Sequence, residues 1–164
     1  MHIRDARPEE MPEVGEIRIT AYNAGGFLDA DSGYAPHLRA LGSDGLGHVL
    51  VGVRPDGEIE RIVGTVMLQA WPDAGPVVTG PDEAEIRALS VRPDAQGSGA
   101  GWQLVLAVIE RARHAGVRHL VLCTEPEMRT AHRLYERAGF GRLPERDWSP
   151  APGVTLLVYG LKLG

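Results

Sequence analysis

The run Val91-Arg92-Pro93-Asp94-Ala95-Gln96-Gly97-Ser98-Gly99-Ala100-Gly101-Trp102 concentrates three glycines into five positions. Glycine at that density costs backbone entropy and suits a chain that turns sharply with its N–H groups close to a ligand. The run follows an alternating stretch, Ile86-Arg87-Ala88-Leu89-Ser90-Val91, and precedes a helical pattern that starts at Gly99 and ends at His114. A helix start offers unpaired N–H donors and the positive end of the dipole, the combination that binds phosphate. A glycine-rich turn without a ligand has the same composition, so residue types alone leave both readings open. Two phosphate motifs are excluded. A P-loop needs a lysine after its last glycine, and the sole lysine is Lys162. A dinucleotide fingerprint needs a small residue where Trp102 stands and a first glycine directly after the strand. Arg92 to Gln96 intervene here, and Glu125 only faintly imitates the ribose-binding acid.

Other reactive side chains are scattered. The six histidines, at positions 2, 37, 48, 114, 119 and 132, lack metal-ligand spacing, so no metal is expected. The single cysteine, Cys123, ends the apolar run Leu120-Val121-Leu122 and reads as a buried small hydrophobe rather than a nucleophile.

The elements that must position these residues follow from periodicity. A short strand is expected at 2–5 and a helix at 8–24, with Pro8 in its first turn and Met11, Val14, Ile17 and Ile19 on one face. A short helix is expected at 36–41. Two β-branched runs, 48–53 and 62–70, flank the turn Pro55-Asp56-Gly57 as a hairpin. A Pro/Gly-rich loop at 71–82 leads to a strand at 86–91. After the glycine turn and its helix, a strand is expected at 118–124. Thr124-Glu125-Pro126-Glu127 resembles a capping box, which starts a helix there that ends at Gly139. A final strand is expected at 154–161.

At 164 residues, with 43% hydrophobic and 24% charged residues, the chain fits one domain, 1–164, with a real core. A net charge of −5 gives no reason to expect nucleic acid or an acidic membrane as partner. No stretch approaches transmembrane length, and the start lacks a signal-peptide core, so a cytoplasmic location is the expectation.

Gln96-Gly97-Ser98-Gly99-Ala100-Gly101 resembles the Q/R-x-x-G-x-G/A signature of the Gcn5-related N-acetyltransferases, which binds the pyrophosphate of acetyl-CoA. The lead-in Glu85-Ile86-Arg87-Ala88-Leu89-Ser90-Val91-Arg92-Pro93 is similar to that family's fourth strand. Downstream, Ala131-His132-Arg133-Leu134-Tyr135-Glu136-Arg137-Ala138-Gly139-Phe140 resembles its A-x-x-L-Y-x-x-x-G-F segment. Seven positions before the tyrosine, many members carry a cofactor-contacting asparagine; this chain has Met128. The resemblance implies an α/β (α+β) fold with a mixed, largely antiparallel sheet of about six to seven strands and about four helices.

It also implies a mechanism. The sheet splays beyond the fourth strand, pantetheine pairs with the backbone of Leu89, Ser90 and Val91, and the N–H groups of Gln96, Gly97, Ser98, Gly99, Ala100 and Gly101 hold the diphosphate. Acetyl-CoA is the acyl donor. The acceptor is a small-molecule or protein amine, which must attack as the free base; at neutral pH about one lysine in two thousand is neutral. Glu85, then Glu83, are the candidate proton acceptors, directly or through water; both as solvated loop residues is the alternative. Tyr135 matches the phenol that protonates the leaving thiolate, the alternative being a tyrosine that only packs. His37, Trp71, Trp148, Tyr22, Tyr34, Asp29 and Asp31 fall in segments that line the acceptor cleft in similar proteins. A homodimer paired through late strands is expected from the resemblance. A non-catalytic acyl-CoA-binding regulatory module of the same fold is the competing reading.

Overall fold

Alternating runs become strands and 3.6-spaced runs become helices in the computed structural model, which describes residues 1–28 and 33–164. The elements are β1 (His2–Asp5), α1 (Met11–Ala24), α2 (Tyr34–Ala40), β2 (His48–Asp56), β3 (Ile59–Ala70), β4 (Glu83–Val91), α3 (Ala100–His114), β5 (His119–Thr124), α4 (Arg129–Arg137), β6 (Gly141–Arg142), β7 (Trp148–Ala151) and β8 (Val154–Lys162). Single 3-10 turns at Pro8–Glu10, Pro93–Ala95 and Pro144–Arg146 each open on proline, whose fixed φ suits a first helical position. The fold is mixed α/β, with a mostly antiparallel sheet and four α-helices among the described residues. Eight strands replace the expected six to seven. The additions are β6 and β7, in a proline-interrupted segment where the sequence shows no alternation.

The chain forms two compact units, Met1–Met67 with Ala88–Ala107, and Leu68–Arg87 with Val108–Gly164; β3, β4 and α3 contribute residues to both. In the first unit the strand order is β1-β2-β3-β4. Val14 and Ile17 of α1 pack on Val51, Val53 and Ile62, and Leu38 and Leu41 pack on Met67. The fully buried Arg18 donates from Nη1 to the carbonyls of Leu38 (3.1 Å) and Leu41 (2.7 Å), satisfying backbone acceptors that the end of α2 leaves open. Gly64 sits where a Cβ would come within 2.8 Å of Leu104 and 2.9 Å of the Ser90 carbonyl, so β3 admits only glycine beside the end of β4.

In the second unit the order is β4-β5-β8-β6, with β7 on β8. β4 and β5 are parallel, from Glu83 opposite His119 to Ile86 opposite Leu122. β5 and β8 are antiparallel, from His119 opposite Lys162 to Thr124 opposite Leu157. Val77, Val78, Val121 and Val158 form this unit's apolar cluster.

The expected capping box is corrected. Thr124 stays in β5, its hydroxyl lies 3.1 Å from His132 Nε2, and α4 starts only at Arg129 after a turn closed by Met128 N–H to Glu125 carbonyl. Sheet pairing and the histidine claim the threonine that a cap would need.

Candidate functional site

The glycine turn belongs to the first unit. Gly97 and Gly99 have φ of 77° and 84°, a region that side chains avoid, and a Cβ at either would meet nothing within 4 Å. Glycine is therefore required there by backbone conformation, not by space. Among the described residues, the N–H groups of Gly97, Ser98 and Gly99 make no backbone hydrogen bond of good geometry. The helix closes behind them with Gln103 N–H on the Gly99 carbonyl, 3.1 Å, so Ala100 and Gly101 open its first turn, where N–H groups have no intrahelical partner. The Gln96 N–H is already spent on the Pro93 carbonyl at 3.4 Å, and its side chain reaches the Val91 carbonyl. The Ser98 hydroxyl donates to the Ala95 carbonyl and accepts from Arg54 Nη2 at 2.8 Å, so only the backbone of Ser98 is available to a ligand. A turn of this kind, with several N–H donors and room before them, fits a diphosphate.

The strand leading into the turn is irregular. Ala88 has φ of 53°, a left-handed conformation rare outside glycine and typical of a strand that is being re-aimed. Pairing with β5 covers Glu83 to Ile86 of β4, and burial along the strand loses its regularity from Arg87 onward. Leu89 and Val91 are half-buried; Ser90 is buried and its hydroxyl donates to the Ala88 carbonyl at 3.1 Å.

The candidate proton-transfer residues lie in the second unit, on β4 and α4. Tyr135 is buried against Phe140 and Tyr159, with ring centroids 5.8 and 6.4 Å away. Gly139, at φ 104°, reverses the chain after α4 so that Phe140 N–H caps the Tyr135 carbonyl at 3.0 Å. Burial pushes the phenol well above its ordinary pKa. Among the described residues no hydrogen bond offsets that burial, and the hydroxyl oxygen is not one of the sealed polar atoms left without a partner, so its proton can meet a ligand.

The two glutamates differ sharply. Burial alone would raise Glu83, but Arg146, the Thr79 N–H and hydroxyl, and His119 all hydrogen-bond its carboxylate, and its pKa falls to about 2. Arg146 lies 3.0 Å away and His119 Nδ1 2.6 Å. Glu85 accepts from Gly75 N–H at 3.1 Å and lies 3.9 Å from Arg87; here burial outweighs its partners and the pKa is raised.

Cys123, expected to be buried, is half-buried, and its sulfur accepts the Trp148 indole N–H at 3.3 Å. Burial pushes the thiol up to about 11, which keeps it protonated. Trp71 is exposed, Tyr22 packs edge-on to Phe27, and Tyr34 lies against His37. Asp29 and Asp31 fall outside the described residues. Sequence reasoning missed Arg146, Thr79 and His119 around Glu83, and His132, which ties α4 to the end of β5. None carries a motif; only three-dimensional proximity reveals them. No metal-holding group of three or more His, Cys, Asp or Glu occurs among the described residues, and no helix there is long and apolar enough to cross a membrane.

Comparison with known proteins finds acetyltransferases among the relatives and the solved structures. Mycothiol acetyltransferase from Geodermatophilus obscurus is 35% identical over 85 residues, 51% of this chain and 26% of that protein. The Cellulomonas flavigena mycothiol acetyltransferase is 37% identical over 93 residues, 52% and 26% of the respective chains. The chain thus spans about a quarter of the length of these curated relatives. Among solved structures, a GNAT-family acetyltransferase from Staphylococcus aureus Mu50 superimposes with a TM-score of 0.76 at 16% identity, over 99% of both chains. A putative acetyltransferase from Salmonella typhimurium, solved with acetyl-CoA, gives 0.70 at 22% identity over 100% of this chain and 94% of that one. The family model described as Acetyltransferase (GNAT) family matches residues 12–140, and the chain belongs to that family.

Proposed function

We propose that this protein transfers an acetyl group from acetyl-CoA to a primary amine by direct attack within a ternary complex. The observation that carries the reading is the turn of residues 97–101: left-handed glycines and backbone donors that make no backbone hydrogen bond of good geometry, opening α3 inside the matched family segment. Those donors receive the diphosphate of the donor substrate. The backbone of Leu89, Ser90 and Val91 pairs with its pantetheine arm in the manner of an added strand. A strand N–H, that of Leu89, stabilises negative charge building on the thioester oxygen. The acyl group is acetyl, as in the names of the matched relatives and in the donor bound to the Salmonella protein.

Tyr135 supplies the proton to the leaving thiolate. A phenol raised by burial stays protonated at neutral pH, as a donor must. Of the two glutamates, Glu85 suits proton acceptance from the amine, since a carboxylate raised toward neutrality is the better base. Glu83 is held by four donors and is too weak a base for the task. The acceptor is a small-molecule or protein amine, and the protein acts in the cytoplasm as a pair of copies joined through late strands.

Thiol release from acetyl-CoA, followed across a panel of amines and beside calorimetric binding of acetyl-CoA, tests the proposal. Amine-dependent release supports it. Tight binding with no release from any amine moves the assignment to a non-catalytic acyl-CoA-binding regulator.

A further inference from the structure

Most arginines of the first unit that reach the surface are neutralised locally. Arg4 and Arg7 meet Glu10, Arg39 meets Glu16, Arg61 meets Asp94 and Arg92 meets Glu13. Arg54, half-buried in β2, is different: among the described residues its guanidinium contacts the Ser98 hydroxyl at 2.8 Å and no carboxylate. Ser98 lies between the two left-handed glycines, and its own proton is committed to the Ala95 carbonyl. Arg54 is therefore held against the middle of the turn, with the rest of its guanidinium donors unspent. The nearby carboxylate, Asp94, is already paired with Arg61 at 2.6 Å. The turn carries an uncompensated positive charge in addition to its backbone dipoles.

We propose that Arg54 is a binding residue for a phosphate group of the acyl donor, supplying from β2 the charge that the glycine turn lacks; this rests on the acetyl-CoA reading above. The backbone N–H groups give a phosphate shape and direction. A guanidinium adds a fixed charge and a planar fork that matches phosphate oxygens, which an ammonium does less well. Ser98 is the spacer that sets where that fork stands, since its hydroxyl, spent on Ala95, does not itself donate to the ligand.

The test is calorimetric binding of coenzyme A, 3′-dephospho-coenzyme A and phosphate-free pantetheine to the intact protein and to Arg54→Gln, Arg54→Lys and Arg61→Gln. Arg54→Gln is expected to weaken coenzyme A about tenfold and leave pantetheine unchanged. Arg54→Lys recovers part of the loss, and Arg61→Gln, which releases the Asp94 carboxylate beside the turn, weakens coenzyme A by less than Arg54→Gln does. If the Arg54→Gln penalty vanishes with 3′-dephospho-coenzyme A, the 3′-phosphate is the group held; if it persists, the diphosphate is. Unchanged coenzyme A affinity in Arg54→Gln overturns the inference, as does an equal loss with pantetheine, which marks a general distortion of the turn. Failure of the unaltered protein to bind coenzyme A is a separate result and sinks the acetyl-CoA reading itself.

Discussion

Glu83 and Glu85 stand two residues apart on one strand, and burial pulls both upward. What separates them is the strength of their partners: Glu83 collects Arg146, Thr79 and His119, whereas Glu85 has the Gly75 N–H, the Cys123 thiol and a more distant arginine, and burial outweighs these. If Glu85 accepts the amine proton, activity is present above its raised pKa and falls as pH drops through it. The acid limb of kcat/KM should then lie above the ordinary carboxylate range, and Glu85→Gln should abolish that limb and lower kcat by about a hundredfold. A limb unchanged in Glu85→Gln assigns the base elsewhere. Tyr135→Phe removes one hydroxyl from a buried ring, so acetyl-CoA affinity should hold while kcat falls by about a hundredfold; equal turnover removes Tyr135 from the chemistry. The role proposed for Tyr135 comes from the resemblance that the L-Y-x-x-x-G-F run carries, and that proposed for Glu85 from its place at the start of the strand that leads to the glycine turn. The contrast between the glutamates was not legible, because His119 and Arg146 lie 36 and 63 residues from Glu83 along the chain.

At the scale of elements, α3 carries the turn, and its burial at Leu104, Val105, Val108, Ile109 and Ala112 repeats the spacing read from the sequence. Leu104→Ala should cost about 3 kcal/mol in urea unfolding, the usual range for an emptied leucine site. Gly99→Ala meets no steric obstacle but must adopt a positive φ, so it should cost about 1 kcal/mol in stability and raise the KM for acetyl-CoA. A KM unchanged beside that stability loss would separate the turn from cofactor binding. Strands and helices with clean periodicity were anticipated to within a few residues. The start of α4 was not: local chemistry at Thr124 favours a cap, but pairing with β8 and the contact to His132 override it. β6 and β7 show no alternation of their own: β7 is set by the tight turn at Pro152-Gly153 that folds it onto β8, and the two residues of β6 by pairing with Tyr159 and Gly160 of the same strand.

For the molecule as a whole, acid stability reports the ion pairs. Glu83 and Glu10 both have pKa values lowered to about 2, so their contribution is complete above the unfolded carboxylate range, near pH 4.5, and is lost as pH falls toward 2. Glu83→Gln should flatten the decline of urea midpoint between pH 4.5 and 2 by its own share, on the order of 2 kcal/mol, leaving the Glu10 share in place. An identical pH dependence in the variant assigns the acid sensitivity elsewhere. The family could be read from motifs within residues 85–140, and the order of elements from periodicity along the chain, because each rests on local backbone demands. The acceptor could not, because it depends on loops whose side chains follow no repeat. The central claim concerns the backbone of the glycine turn, and an amide-resolved NMR titration with acetyl-CoA tests it most directly. The amide signals of Gly97, Ser98, Gly99, Ala100 and Gly101 should shift furthest and saturate together with the donor; saturable binding that leaves those five signals in place contradicts the account.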